Sequence, residues 1–331
     1  MTAPLHDSGS ATLEASVEAP APAAVKIAGR SPGRIAWERL KRDKVALAGG
    51  AVVILLILVA VLAPVITHFL GYPVDQPNGS LIDPNLGTPK GALGGISGKH
   101  LLGVDPTFGR DVFSRIVYGA QVSMLVAFLA AALAVVLGTL LGSAAGYFGG
   151  WIDAVISRVM DVLLAFPQLL FSIALISVLP DKVFGMSGSA PRIGVLVVVI
   201  GFFGWPYIGR IVRGQTLSLR EREFVEAAKS LGARPGRILI KELLPNLVAP
   251  ILVYTTLMIP TNILTEAALS YLGVGVKPPT PSWGQMLSDA LQTYTIDPAY
   301  MVIPGVAIFI TVLAFNLFGD GLRDALDPKG S

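Results

Sequence analysis

Few residues in this 331-residue chain are arranged for covalent chemistry. There is no cysteine, which removes thiol nucleophiles, thiolate metal sites and disulfides together. Its histidines, His6, His68 and His100, lie in the tail or in loops with no paired spacing, so an imidazole metal site is not expected. The nearest thing to a phosphate loop is LGGISGKH at 93–100. A Walker A pattern needs glycine where Leu93 stands and serine or threonine where His100 stands. No nucleotide, metal or cofactor site is therefore expected in this chain. The residues left with chemical interest are polar groups inside apolar runs: Asp161, Gln168, Thr255, Thr256, Asn262, Glu266 and Asn316. Such groups are expensive in lipid and belong against a cavity or a neighbouring helix. Asn262 and Glu266 are four apart on one helical face and are candidates for lining the path of a hydrated solute. Asp161, shortly after Arg158, is read as an ion pair near a membrane surface.

The elements that must carry these groups follow from composition. At 53% hydrophobic and 14% charged, the chain has more apolar surface than a soluble domain buries, so it is read as a membrane protein. Runs of about 20 residues are needed to cross a hydrocarbon core of about 30 Å. Candidates are 45–67, 121–145, 159–179, 193–212, 247–270 and 300–319. Runs this long are helical, not the shorter alternating strands of a barrel, and the expected fold is an all-α bundle with six transmembrane helices. Residues 1–33, rich in Ala, Pro, Ser and Glu and without the pattern of a cleaved signal peptide, read as a disordered cytoplasmic tail. Residues 34–44, with Ile35, Trp37 and Leu40 among basic side chains, read as a helix lying at the membrane surface. The first transmembrane helix, 45–67, is followed by an extracytoplasmic loop, 68–118, a transmembrane core, 119–320, and a cytoplasmic C-terminal tail, 321–331.

The excess of Lys and Arg beside the spans places both termini and segment 213–246 inside. That segment carries Arg213, Arg220, Arg222, Lys229, Arg234, Arg237 and Lys241. It reads as a short helix ended by a left-handed Gly232, then a second begun by Pro235 and stopped by Pro245. Ala227 and Ala228 give it a small-residue patch among charges. Such a hairpin suits either the docking of a soluble partner or rest upon anionic lipid. Pro167, Pro250 and Pro260 are expected to kink spans, and Gly138 with Gly142 to make a close helix crossing. Trp283 reads either as an aromatic anchor at the membrane surface or as part of a loop near a pore mouth. Arg110 and Asp111 are read as orienting the outer loop by local charge pairing.

The hairpin resembles the EAA loop of bacterial ABC importer permeases. Glu226, Ala227, Ala228, Gly232, Leu244 and Pro245 fill its pattern, and the chain departs from related peptide permeases at Glu242, where they usually carry histidine. Four further blocks, HLLGVDPTFGRDVFSRIVYGAQVSM at 100–124, GYFGGWIDAVISRVMDVLLAFP at 146–167, LSYLGVGVKPPTPSWGQMLSDA at 269–290 and FNLFGDGLRDALDPK at 315–329, resemble the second permease of the dipeptide, oligopeptide and nickel group. The resemblance implies a type I importer bundle of the MetI-like kind in a bacterial inner membrane. It also implies a homologous second permease, two ATP-binding subunits or one fused ATPase that bind ATP and Mg, and an extracytoplasmic binding protein. No nucleic acid enters. The hairpin would couple to the ATPase through Glu226, Ala227, Ala228 and Gly232, with Leu244, Pro245 and Asn246 seating it. The implied cargo is a peptide, with nickel, another small solute or haem as alternatives. The rival reading is an ion-coupled secondary transporter using Glu266 and Asp161.

Overall fold

A computed structural model describes residues 32–178, 182–183 and 186–327. The tail expected over 1–33 lies outside the described residues except for its last two. These already belong to α1, Pro32–Leu40. Asp43 then accepts from the backbone N–H groups of Val45 and Ala46 and caps α2, Lys44–Val61, giving the orphan amides of the first turn a partner. The first apolar run does not continue unbroken to 67. It interrupts at Leu62 and resumes as α3, Ala63–Leu70, with Pro64 in its first turn.

Beyond a loop come α4, Val112–Phe148, α5, Gly150–Ala165, and α6, Gln168–Val178. The expected span 159–179 is thus two helices that meet at Pro167 with a bend of 82°. A two-residue strand pair, Lys182–Val183 with Met186–Ser187, precedes α7, Ser189–Leu219. Next are α8, Glu223–Ser230, α9, Pro235–Arg237, a π-helical stretch, Ile238–Leu243, and α10, Leu244–Tyr271. The chain ends with α11, Trp283–Ala290, and α12, Ala299–Leu326. Residues 321–326 are therefore helix rather than tail, and the first loop is 71–111 rather than 68–118. Five helical rods among the described residues are long and apolar enough to cross a membrane, and the α5–α6 pair makes up to six.

Small residues set how closely these rods approach. The most extensive packing joins α4 to α7. Gly138, Gly142 and Gly146 lie one turn apart along that seam. A Cβ on Gly142 would stand 2.5 Å from the Gly209 carbonyl oxygen, and one on Gly138 would stand 2.7 Å from the Ile208 Cβ. The small-residue pair expected from the sequence is thus the start of a three-glycine crossing. On the other flank α2 runs antiparallel to α12, with Gly49 against Ala314 and Leu317, and Gly321 against Ala46. Ala127, Ile263 and Phe315 sit in the cluster that binds α2, α4, α10 and α12 together. A second cluster, around Val126 and Leu196, joins α4, α6 and α7.

Candidate functional site

At one end of the bundle α8 and α9 form the expected hairpin. Glu223 and Glu226 occupy the first turn of α8 and Lys229 its last, the charge order that suits the helix dipole. Gly232 takes φ +77° with open space where a side chain would go, so the demand there is conformational. The N–H groups of Leu231, Gly232 and Ala233 close the turn on the carbonyls of Ala227, Lys229 and Ala228. Pro245 does not stop the second helix. Residues 238–243 form a π turn in which the N–H of Leu244 donates five residues back to Leu239, and the chain runs on into α10 with Pro245 in its first turn. A proline there lacks only an N–H that needs no helical partner.

The hairpin is seated by residues that the sequence pattern did not single out. Val225, Ile238, Leu243 and Leu247 are fully buried against Ile208 and Val212 of α7. Leu244 is half-buried, whereas Pro245 and Asn246, expected to seat the hairpin, are exposed, and the Asn246 amide caps the Glu242 carbonyl at 2.7 Å. The two alanines also separate. Ala228 packs on the seating cluster, while Ala227 and Glu226 face outward. With Ala227 on the outer face stand Phe224, at 39% exposure, and Leu231, at 88%. Spaced i, i+3, i+7, they form one apolar stripe with no covering among the described residues. The i, i+3, i+7 spacing of these three side chains is itself present in the sequence.

Behind the hairpin, arginines of α7 reach α5. Arg213 grips Asp153 with two nitrogens, at 2.5 and 2.7 Å. Asp161 pairs with Arg210 at 2.5 Å and not with Arg158, because the 150–165 helix turns that carboxylate toward α7. Both members of the latter pair are half exposed, so it adds little stability.

Asn262 and Glu266, the candidates for a solute path, face the interior of the single chain. The Asn262 amide donates to the Ala127 carbonyl of α4 at 3.2 Å, and Glu266 has no exposed surface. Its carboxylate accepts from the hydroxyls of Ser123 at 2.8 Å and Ser270 at 2.7 Å. Burial within one chain only increases when a partner is added, so in this conformation neither residue lines a pore. Trp283 is likewise no surface anchor. It is 1% exposed, and its indole N–H donates to the Ile116 carbonyl at 3.1 Å.

At the end opposite the hairpin, loop 71–111 is held by charge-assisted bonds. Arg110 pairs with Asp105 and not with its neighbour Asp111. Asp111 instead caps α4 through Ser114 and meets His100 Nδ1 at 2.9 Å. Arg115, wholly buried, donates to Gln285 Oε1 at 3.0 Å and lies 3.8 Å from Asp289. Burial holds the Asp289 carboxyl above the usual aspartate range, outweighing the Gln285 amide, Arg115 and Arg110. The folded protein therefore binds this proton more tightly than the unfolded one. Its stability falls as pH rises from the ordinary aspartate value through the raised one. Asp289→Asn is expected to remove that decline and to melt about 2–4 °C above the parent at neutral pH. Thermal unfolding of the detergent-solubilised protein across pH checks it, and a parallel decline in the variant would contradict it.

Residues 134–330 match the family described as binding-protein-dependent transport system inner membrane component. Residues 31–84 match the N-terminal TM domain of oligopeptide transport permease C. The chain is 43% identical over 299 residues, 90% of each chain, to the dipeptide transport system permease protein DppC of Alkalihalophilus pseudofirmus. It is 45% identical over 300 residues, 91% of each chain, to the glutathione transport system permease protein GsiD of Salmonella typhimurium. Among solved structures it resembles the MetNI methionine ABC transporter in an inward-facing conformation. That likeness has TM-score 0.52 and 20% identity, covers 65% of this chain and 97% of the other, and speaks to the fold alone.

Proposed function

This chain belongs to the family of binding-protein-dependent transport system inner membrane components, and from that membership we propose that it forms half of the pore of a peptide importer. It is a transport subunit, not an enzyme. A second, homologous permease completes the pore, and an extracytoplasmic binding protein delivers the cargo. ATP and Mg are bound by two partner subunits or one fused ATPase. The names of the dipeptide and glutathione relatives support a short peptide as cargo. The Lys and Arg excess of 213–246 supports a cytoplasmic position for the hairpin and for both termini, in a bacterial inner membrane.

The observation that carries the coupling role is the uncovered stripe of Phe224, Ala227 and Leu231 on a hairpin whose opposite face is buried. An apolar stripe beside Glu223 and Glu226 fits a protein cleft better than an anionic lipid surface, which disfavours carboxylates. Gly232 supplies the turn, and Leu244, Pro245 and Asn246 carry the hairpin into α10. ATP-driven closure of the ATPases would then shift the bundle between outward and inward openings, provided the two states differ in binding energy.

Copurification with coexpressed partners tests this. Leu231→Asp and Ala227→Arg are each expected to lower ATPase recovery about tenfold or more while membrane insertion is unchanged. Normal recovery in both would mean that the hairpin rests on lipid.

A further inference from the structure

Glu266 does more than fill a polar gap. Three serine hydroxyls meet its carboxylate, those of Ser123, Ser270 and Ser282, and the first two are themselves acceptors for backbone N–H groups at the two ends of one outer segment. Val276 N–H donates to Ser270 Oγ at 3.0 Å, and Trp283 N–H donates to Ser123 Oγ at 3.3 Å. Both ends of segment 276–283 thus hang from a single carboxylate of α10, the first through Ser270 and the second through Ser123 and through Ser282 of the segment itself. The middle of the segment is held separately. Arg115 donates to the Pro279 carbonyl at 3.4 Å and faces Asp75 of loop 71–111 at 3.5 Å. Pro278 and Pro279, with Asp75, Pro77, Phe108 and Arg110, border a recess at this end of the molecule. Phe108 is half exposed on its rim, with the Arg110 guanidinium 4.6 Å from the ring centre.

A buried carboxylate is costly where an apolar side chain would pack as well. Here the geometry gives it a task, because α10 runs back as one helical rod, Pro235–Tyr271, into the hairpin. Resting on the reading of the chain as a binding-protein-dependent permease, we propose that Glu266 and Arg115 are positioning residues. They fix segment 276–283 to α10 and α4, so that occupation of the outer recess by the delivery protein biases the state of the hairpin. Neither touches cargo or nucleotide. Their effect is a coupling free energy between two distant surfaces.

The test uses the whole complex in lipid nanodiscs, with ATP hydrolysis measured with and without saturating peptide-loaded delivery protein. Glu266→Leu and Arg115→Met are each expected to lower the ratio of stimulated to basal hydrolysis about tenfold, with basal hydrolysis kept within about twofold. Glu266→Gln, which keeps the shape and one acceptor, is expected to retain the ratio within about threefold. A ratio unchanged in Glu266→Leu, or basal and stimulated rates falling together, overturns the proposal in favour of plain packing. Should Glu266→Leu fail to assemble, Ser270→Ala releases one end of the segment and the double variant Ser123→Ala with Ser282→Ala the other, and an unchanged ratio in both overturns it equally. A wild-type complex that shows basal hydrolysis but no stimulation overturns the binding-protein reading and the inference with it.

Discussion

Replacing Gly142 by leucine is expected to abolish the folded bundle. Even the first carbon of a side chain there would stand 2.5 Å from the Gly209 carbonyl oxygen and 3.0 Å from the Gly209 Cα. Both are backbone atoms of the facing helix and cannot swing aside. Overpacking a core costs about 1–3 kcal/mol where side chains can yield, and here the helices themselves must part. Separation of α4 from α7 would also release Gly138 and Gly146, which share the seam, and the Val126 and Leu196 cluster between the same helices. Gly214 of α7 is the control, because a Cβ there meets nothing. Gly214→Ala is expected to be neutral or to stabilise by up to about 1 kcal/mol through helix propensity. Yield of monodisperse protein after detergent extraction, with its melting temperature, separates the two. A Gly142→Leu protein that elutes and melts like the parent would disprove the crossing.

Val225→Asp or Ile238→Asp is expected to detach the hairpin from the bundle. Each side chain is at or below 1% exposure, inside the cluster with Val212 and Leu243. A carboxylate placed there has no cationic partner among the residues of that cluster, and burying it unpaired costs several kcal/mol. The hairpin would swing free rather than pay that cost by charging the core. Two readouts should fall together: ATPase recovery, and resistance of segment 220–243 to limited proteolysis. Leu231→Asp should lose only the first, since Leu231 contributes nothing to the seat. If Val225→Asp keeps both, the hairpin is held by something other than this cluster.

The helices were legible because a run of some twenty apolar residues has few other uses, and the hairpin because Gly232 and Pro235 punctuate it at positions where only their backbone preferences fit. What remained hidden was which face of each helix turns inward. The i, i+4 spacing put Asn262 and Glu266 together correctly, yet spacing is silent on whether a polar face meets water or another helix. Their partners, Ala127 and Ser123, lie more than 130 positions away. Asp161 shows the same limit, its arginine being 49 positions off rather than on its own turn. Pro245 misled for a different reason. A proline ends a helix only when its missing N–H and its ring find no relief, and the π turn at 238–243 shifts the hydrogen-bond register just ahead of it.

The bend between α5 and α6 bears on how cells must manufacture the protein. At about 1.5 Å per residue the two arms are about 24 and 16 Å long, and neither alone crosses about 30 Å of hydrocarbon. Ala165, Phe166 and Pro167 at the elbow are exposed on the single chain, and a helix end leaves its last carbonyls without helical partners. Lipid supplies no hydrogen bonds, so an elbow at the depth of the hydrocarbon needs another protein surface or an aqueous channel to cover it. If the proposed second permease is what covers it, a copy made alone leaves that elbow bare. Matched synthesis of the two subunits is then expected to protect this chain from membrane proteases.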